Sequence, residues 1–177
     1  MITNEPVAQI AYVVPDIREA CLQHAKLFGT GPFFVASNIP LSSSRYRGRD
    51  VPFNHSSAFG QWGDVMIEFM QREDDQPSVL TDVLDRTGGK AGMHHKAILV
   101  ADPSTVAKRF EENGFPIAFH GTLTAGVEVF MVDTLDLYGH MIELYAPSEL
   151  VRGFFAMVRD APASFDGTDI LRDFAFG

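Results

Sequence analysis

The feature that most constrains the fold is a weak internal repeat. The octapeptide QIAYVVPD, from Gln9 to Asp16, aligns with HKAILVAD, from His95 to Asp102, at an offset of 86 residues. Ala11 then matches Ala97, Val14 matches Val100 and Asp16 matches Asp102. Further along, Met66, Ile67 and Glu68 recur as Met141, Ile142 and Glu143 at an offset of 75. Two matches in the same order point to a duplication, with the longer insertion of the first copy placed in the polar, turn-rich segment Pro40 to Pro52. Each copy is about 65 residues, too short to bury a sufficient core alone, so the two belong to one domain.

Both copies carry the same signals. Val7 to Val14 is an apolar, β-branched run of strand length. Asp16 stands at an N-cap position, with Glu19 as capping-box partner and Gly29 as the stop. The second copy repeats this with a strand from His95 to Val100, cap Asp102, Pro103 at the first helical position and Gly114 as the stop. Three strand-like runs follow each helix: Phe33 to Ser37, Asn54 to Gln61 and Asp64 to Met70, then Ile117 to His120, Val127 to Val132 and His140 to Tyr145. Each module reads β-α-β-β-β. The expected organisation is α+β: module 1 over 7–71, a polar linker over 72–92, module 2 over 93–147, and a C-terminal helix and tail over 148–177. The helix Ser148 to Arg159 carries Leu150, Phe154, Met157 and Val158 on or near one face, to close the core or meet a second subunit.

Four polar residues interrupt strand faces that should be apolar, since residues i, i+2 and i+4 share a face. Gln9 lies with Ala11 and Val13, Glu68 with Met66 and Met70, His95 with Ala97 and Leu99, and Glu143 with Met141 and Tyr145. An isolated carboxylate in a low-dielectric interior is very costly. A shared cation explains two glutamates at equivalent points of a duplicated unit, because it turns their repulsion into attraction. His94 falls on the opposite face from His95, and His140 is out of phase with Glu143, so neither is expected among the ligands.

Charge and cysteine content narrow the surroundings. Lys and Arg total 14 against 23 Asp and Glu, a net charge of −9, which argues against nucleic acid as a partner. The single cysteine, Cys21, suits a reducing compartment. Neither a signal peptide nor a run of 18 or more apolar residues is visible, so a cytoplasmic protein with no membrane partner is expected.

With these residues in view, the chain resembles the vicinal-oxygen-chelate superfamily, which includes glyoxalase I, methylmalonyl-CoA epimerase, extradiol dioxygenases and bleomycin-resistance proteins. The resemblance rests on QIAYVVPDI, DVMIEFMQ, MHHKAILVAD and YGHMIELYAP, and covers Val7 to Pro147. It implies two β-α-β-β-β modules forming an incomplete mixed β-barrel around one divalent metal. Ligands come from the first and fourth strand of each module, here Gln9, Glu68, His95 and Glu143. That set is similar to the glyoxalase I pattern. It departs from the epimerases, which usually have His first and Gln second.

A ligand set of one imidazole, two carboxylates and one amide admits Zn, Mn, Co, Ni or Fe. The implied activity is a lyase or isomerase that moves a proton α to a carbonyl through a metal-stabilised enediolate, on a small-molecule carbonyl substrate. Glu143 is the expected proton carrier and Glu68 the second acid–base group. An acyl-CoA epimerase and a non-catalytic binding protein are the alternatives, and a homodimer is expected. Arg45, Tyr46 and Arg47, in the module 1 insertion, are candidates to receive an anionic group. Trp62, with Phe53 and Phe59, is a candidate for an apolar substrate wall.

Overall fold

The structure, a computed structural model, describes residues 1–176; Gly177, the end of the expected tail, lies outside the described residues. Module 1 contains β1 (Val7–Val13), α1 (Ile17–Phe28), β2 (Phe33–Ala36), a hairpin of β3 (Leu41–Tyr46) and β4 (Arg49–Asp50), β5 (His55–Trp62) and β6 (Val65–Arg72). α2 (Val79–Thr87) precedes module 2, which contains β7 (Gly92–Leu99), α3 (Pro103–Glu112), β8 (Ile117–Leu123), β9 (Glu128–Val132), the short α4 (Leu135–Tyr138) and β10 (Met141–Tyr145). The extension holds α5 (Glu149–Asp160) and β11 (Leu171–Asp173). The two caps form as expected. Asp16 accepts from the Glu19 amide and Asp102 from the Thr105 amide, although the Glu19 carboxylate bonds Gln23 instead of closing a capping box.

All strands join one curled, unclosed sheet in the order β11-β2-β5-β6-β1-β7-β10-β9-β8-β3-β4. Each module contributes the same pattern, with its first strand beside its last: β1 runs parallel to β6, and β7 parallel to β10. The modules meet where β1 and β7 pair antiparallel. This arrangement puts the four strands that carry the expected ligands side by side at the middle of the sheet.

On the convex side, α1 packs over Ile67, Phe69 and Phe33, and α3 over Ile98, Phe130 and Leu144. On the concave side, the expected linker supplies part of the core. Val79, Leu80 and Val83 of α2 pack with Ala11, Val13, Met70 and Met141. α5 covers another part of the concave side, where Phe154 and Val158 meet Phe59 and Met66.

The β3–β4 hairpin and β11 were absent from the sequence expectation, as was the short α4. The insertion Pro40 to Pro52 forms the β3–β4 hairpin, and β3 pairs with β8 of module 2 rather than within its own module. At the other end β11 adds in parallel to β2 of module 1. The outer strand of each module is thus covered by chain from elsewhere. Of the apolar residues expected on one face of α5, Val158 is buried, whereas Leu150 is exposed at the cavity rim and Val151 is buried in its place.

Candidate metal centre

The strand register lays the four polar residues out in two rows. Glu68 and His95 both lie opposite Ala11, one on each neighbouring strand. Gln9 and Glu143 both lie opposite Ala97. The repeat exchanges the rows, carrying Glu68 onto Glu143 and Gln9 onto His95. At the centre of each row sits a fully buried alanine, whose short side chain leaves room for the longer ones on either side to converge.

They do converge, within a single chain. His95 Nε2 lies 3.0 Å from Glu143 Oε2, 3.5 Å from Glu68 Oε2 and 3.4 Å from Gln9 Oε1. The ligand atoms of Glu68, His95 and Glu143 lie within 4.8 Å of one another, and all three residues are buried. The Gln9 amide nitrogen faces Met66 Sδ at 3.1 Å, which turns its carbonyl oxygen toward the cluster. Three oxygens and one imidazole nitrogen fit a divalent cation of hard to borderline character.

Electrostatics agree. Burial alone would push the His95 imidazole down, but the Glu143 carboxylate, and then that of Glu68, outweigh it and raise the group to about 10. Two buried carboxylates therefore demand a positive charge between them, which in the metal-free protein is the His95 proton.

Sequence reasoning missed three residues here. His94 lies at a register shift, where Ala11 pairs with His95 but Tyr12 with Met93, and this bulge brings the two histidine rings together. His94 Nε2 lies 3.1 Å from the Val79 carbonyl, and His94 Nδ1 lies 2.9 Å from His95 Nδ1. Tyr145 shares a face with Glu143, and its hydroxyl donates to Gln9 Oε1 at 2.9 Å; burial and the two glutamates push its ionisation well above the usual phenol range. The i+2 spacing was the available signal. His55 of β5 stacks on Phe53 with ring centroids 4.1 Å apart, and burial lowers it to about 4. Its Nδ1 has no hydrogen-bond partner, and the residue lines the cavity above the centre.

That cavity has a volume of about 680 Å3. Gln9, Glu68, Glu143 and Tyr145 line it, and the rest of its wall is overwhelmingly apolar, Phe53 and Phe59 included. The other expected substrate residues lie outside the lining of this cavity. Arg45 pairs with Asp50 on the exposed hairpin. Arg47 pairs with Asp82 and Asp133, and the Tyr46 hydroxyl donates to Asp82. Trp62 packs against His24 and Phe28 on the convex side. The physical reason is the hairpin's place at the outer edge of β8, where its arginines find local carboxylates. His140 bonds the Met141 carbonyl, and Cys21 is buried with its thiol pushed up to about 12.

Comparison with known proteins agrees with this architecture. Residues 8–131 match the family model of the Glyoxalase/Bleomycin resistance protein/Dioxygenase superfamily, and the chain belongs to that superfamily. No curated protein sequence matches the chain. Among solved structures, a methylmalonyl-CoA epimerase is similar with a TM-score of 0.52 at 20% identity, over 82% of this chain and 100% of that one. The methylmalonyl-CoA epimerase from Mycobacterium tuberculosis gives 0.54 at 18%, over 86% and 97%. A hypothetical protein from Bacillus halodurans gives 0.58 at 17%, over 83% and 97%. At these identities the likeness is one of fold. No helix among the described residues is long and apolar enough to cross a membrane.

Proposed function

We propose that the protein is a divalent-metal-dependent enzyme, glyoxalase-like in its ligand set, that moves a proton α to a carbonyl. The observation that carries this reading is the buried convergence of Glu68, His95, Glu143 and Gln9 at the floor of an apolar cavity. When bound, the metal supplies Lewis acidity, lowering the energy of negative charge that develops on substrate oxygens.

The remaining work falls to the chain. Glu143 borders the cavity and is the proton acceptor. Glu68, in the other row of the pseudo-symmetric site, is the second acid–base group. Return of the proton by Glu143 to a neighbouring carbon gives isomerisation, whereas delivery by Glu68 from its own side gives epimerisation. The Tyr145 hydroxyl holds the Gln9 carbonyl oxygen in place, and the apolar wall excludes the water that would compete for the proton.

The fold of the epimerase neighbours supports a second reading as an acyl-CoA epimerase. A non-catalytic binder of apolar molecules is a third, favoured by the cavity wall. Metal content, combined with deuterium incorporation from D₂O into panels of 2-oxo compounds, thiol adducts and acyl-CoAs, separates them. One metal per chain is expected, with exchange slowed at least about 100-fold in Glu143→Gln. A metal-free wild type or a fully active variant would overturn the proposal. Tight binding without exchange would favour the binder.

A further inference from the structure

The cavity above the centre is not built by the duplicated core alone. Residues 8–131 match the superfamily model, yet an aromatic wall of the cavity comes from beyond Pro147: Phe154 and Phe155 of α5, with Phe174 and Phe176 after β11. Phe154 meets Phe59 of β5 edge-on, with ring centroids 4.9 Å apart, and its ring lies 5.7 Å from Phe174 and 5.4 Å from Phe176. Backbone bonds fix the tail in place, from the Phe33 amide to the Ile170 carbonyl at 2.7 Å and from the Phe174 amide to the Val35 carbonyl at 2.8 Å. Those rings are therefore held by secondary structure as well as by their own packing.

The charge of the lining is equally specific. Its acidic side chains among the described residues are Glu68, Glu143 and Glu149, and it contains neither Lys nor Arg. Glu68 and Glu143 belong to the metal centre, which leaves Glu149 to meet a substrate. His55 is uncharged at neutral pH and supplies no counter-ion. A phosphate or free carboxylate on the part of a ligand held away from the metal centre would meet apolar rings and the Glu149 carboxyl group, losing hydration without gaining a partner. An apolar cavity of this size matches a ligand of drug-like bulk.

We propose that the substrate is a neutral carbonyl compound bearing a bulky aromatic or polycyclic group, received by a wall that the C-terminal extension supplies. This deepens the reading above and rests on it for the carbonyl end alone. Nucleotide thioesters and glutathione adducts, both polyanionic, are poor occupants.

The test is a fluorescence titration of full-length, metal-loaded protein with the uncharged dye N-phenyl-1-naphthylamine, followed by displacement. Benzil, a neutral diketone with two phenyl groups, should displace the dye at least ten-fold more effectively than acetyl-CoA or the glutathione–methylglyoxal adduct. Phe154→Ser and Phe174→Ser should each weaken dye and benzil at least ten-fold while leaving the metal content unchanged. Leu150→Arg, at a half-exposed rim position that tolerates charge, should narrow the preference against acetyl-CoA. Stronger displacement by the anionic ligands, or dye binding unaltered by both Phe variants, overturns the proposal. A wild type that binds the dye and benzil but no metal would leave the substrate class standing and defeat the metal-dependent reading alone.

Discussion

His94 Nδ1 lies 2.9 Å from His95 Nδ1, and the bond between them can run in one direction only. The Val79 carbonyl can only accept, so His94 Nε2 carries the proton that bonds it. Burial holds His94 neutral, well below the usual imidazole range, so its Nδ1 is an acceptor and His95 Nδ1 the donor. The first-turn carbonyl of α2 thereby keeps a proton on His95 Nδ1, so that Nε2 is the nitrogen turned to the two glutamates and the one left free to ligate once a cation displaces the proton between them. Replacing His94 by Leu should lower metal affinity by about 10- to 100-fold, the usual effect of losing such a support. His94→Gln, which can still accept, should lose less. Calorimetric titration with Zn or Mn checks both.

If Gln9, Glu68, His95 and Glu143 hold a cation as proposed, the alanines between them should be as necessary as they are. Ala97 separates Gln9 from Glu143 across the strands, and Ala11 separates Glu68 from His95. Ala97→Leu should place its branch in the space a cation would use. Overpacking of this kind costs about 1–3 kcal/mol, so the variant should fold with a lowered Tm yet retain no stoichiometric metal by elemental analysis.

On the proposed reading, metal and proton compete for His95. With the imidazole raised to about 10 in the metal-free protein, binding near pH 8 should release close to one proton per ion from this site, and affinity should climb as pH rises toward 10. Calorimetry in buffers of different ionisation enthalpy counts that proton. The sign for stability is the reverse. Because the folded value exceeds the unfolded one of about 6.5, the stabilisation is complete below pH 6.5 and is lost as pH rises through 10. Chelator-treated protein should therefore unfold more easily at pH 9 than at pH 7, and added metal should remove most of the difference.

His55 works in the opposite sense. Its folded value of about 4 lies below the unfolded one, so its contribution is present above pH 6.5 and declines as pH falls toward 4. The loss should approach roughly 3 kcal/mol at the acid end of that window. Urea unfolding of wild type and His55→Asn across pH 4.5 to 7 should show a shallower pH slope in the variant.

The centre was legible because it breaks a rule locally. Gln9, Glu68, His95 and Glu143 each interrupt an apolar strand face, and the repeat relates their positions in pairs. Tyr145 could have been read from its i+2 spacing to Glu143. His94 could not, because strict alternation puts it on the far face and only the bulge brings it back. The hairpin was invisible for a different reason. In β3, LSSSRY, half the residues are exposed, so no apolar period marks the strand, and its pairing with β8 is a backbone matter. β11 is three residues long and equally unmarked. Arginines in an acidic chain suggested an anion site, but local aspartates satisfied Arg45 and Arg47 first.

The cross-covering of the two outer strands has a consequence for biosynthesis. When β8 emerges from the ribosome, its covering strand β3 has already been made. The bare edge of module 2 is therefore masked almost as soon as it forms. Module 1 has no such shelter: the strand that covers β2 lies at residues 171–173, far behind β2 in the chain. Until then β2 presents unpaired backbone donors and acceptors, the kind of edge on which chains aggregate. The nascent protein is most vulnerable until that strand has emerged, and Phe174 and Phe176 of the cavity wall arrive with the strand that closes the gap.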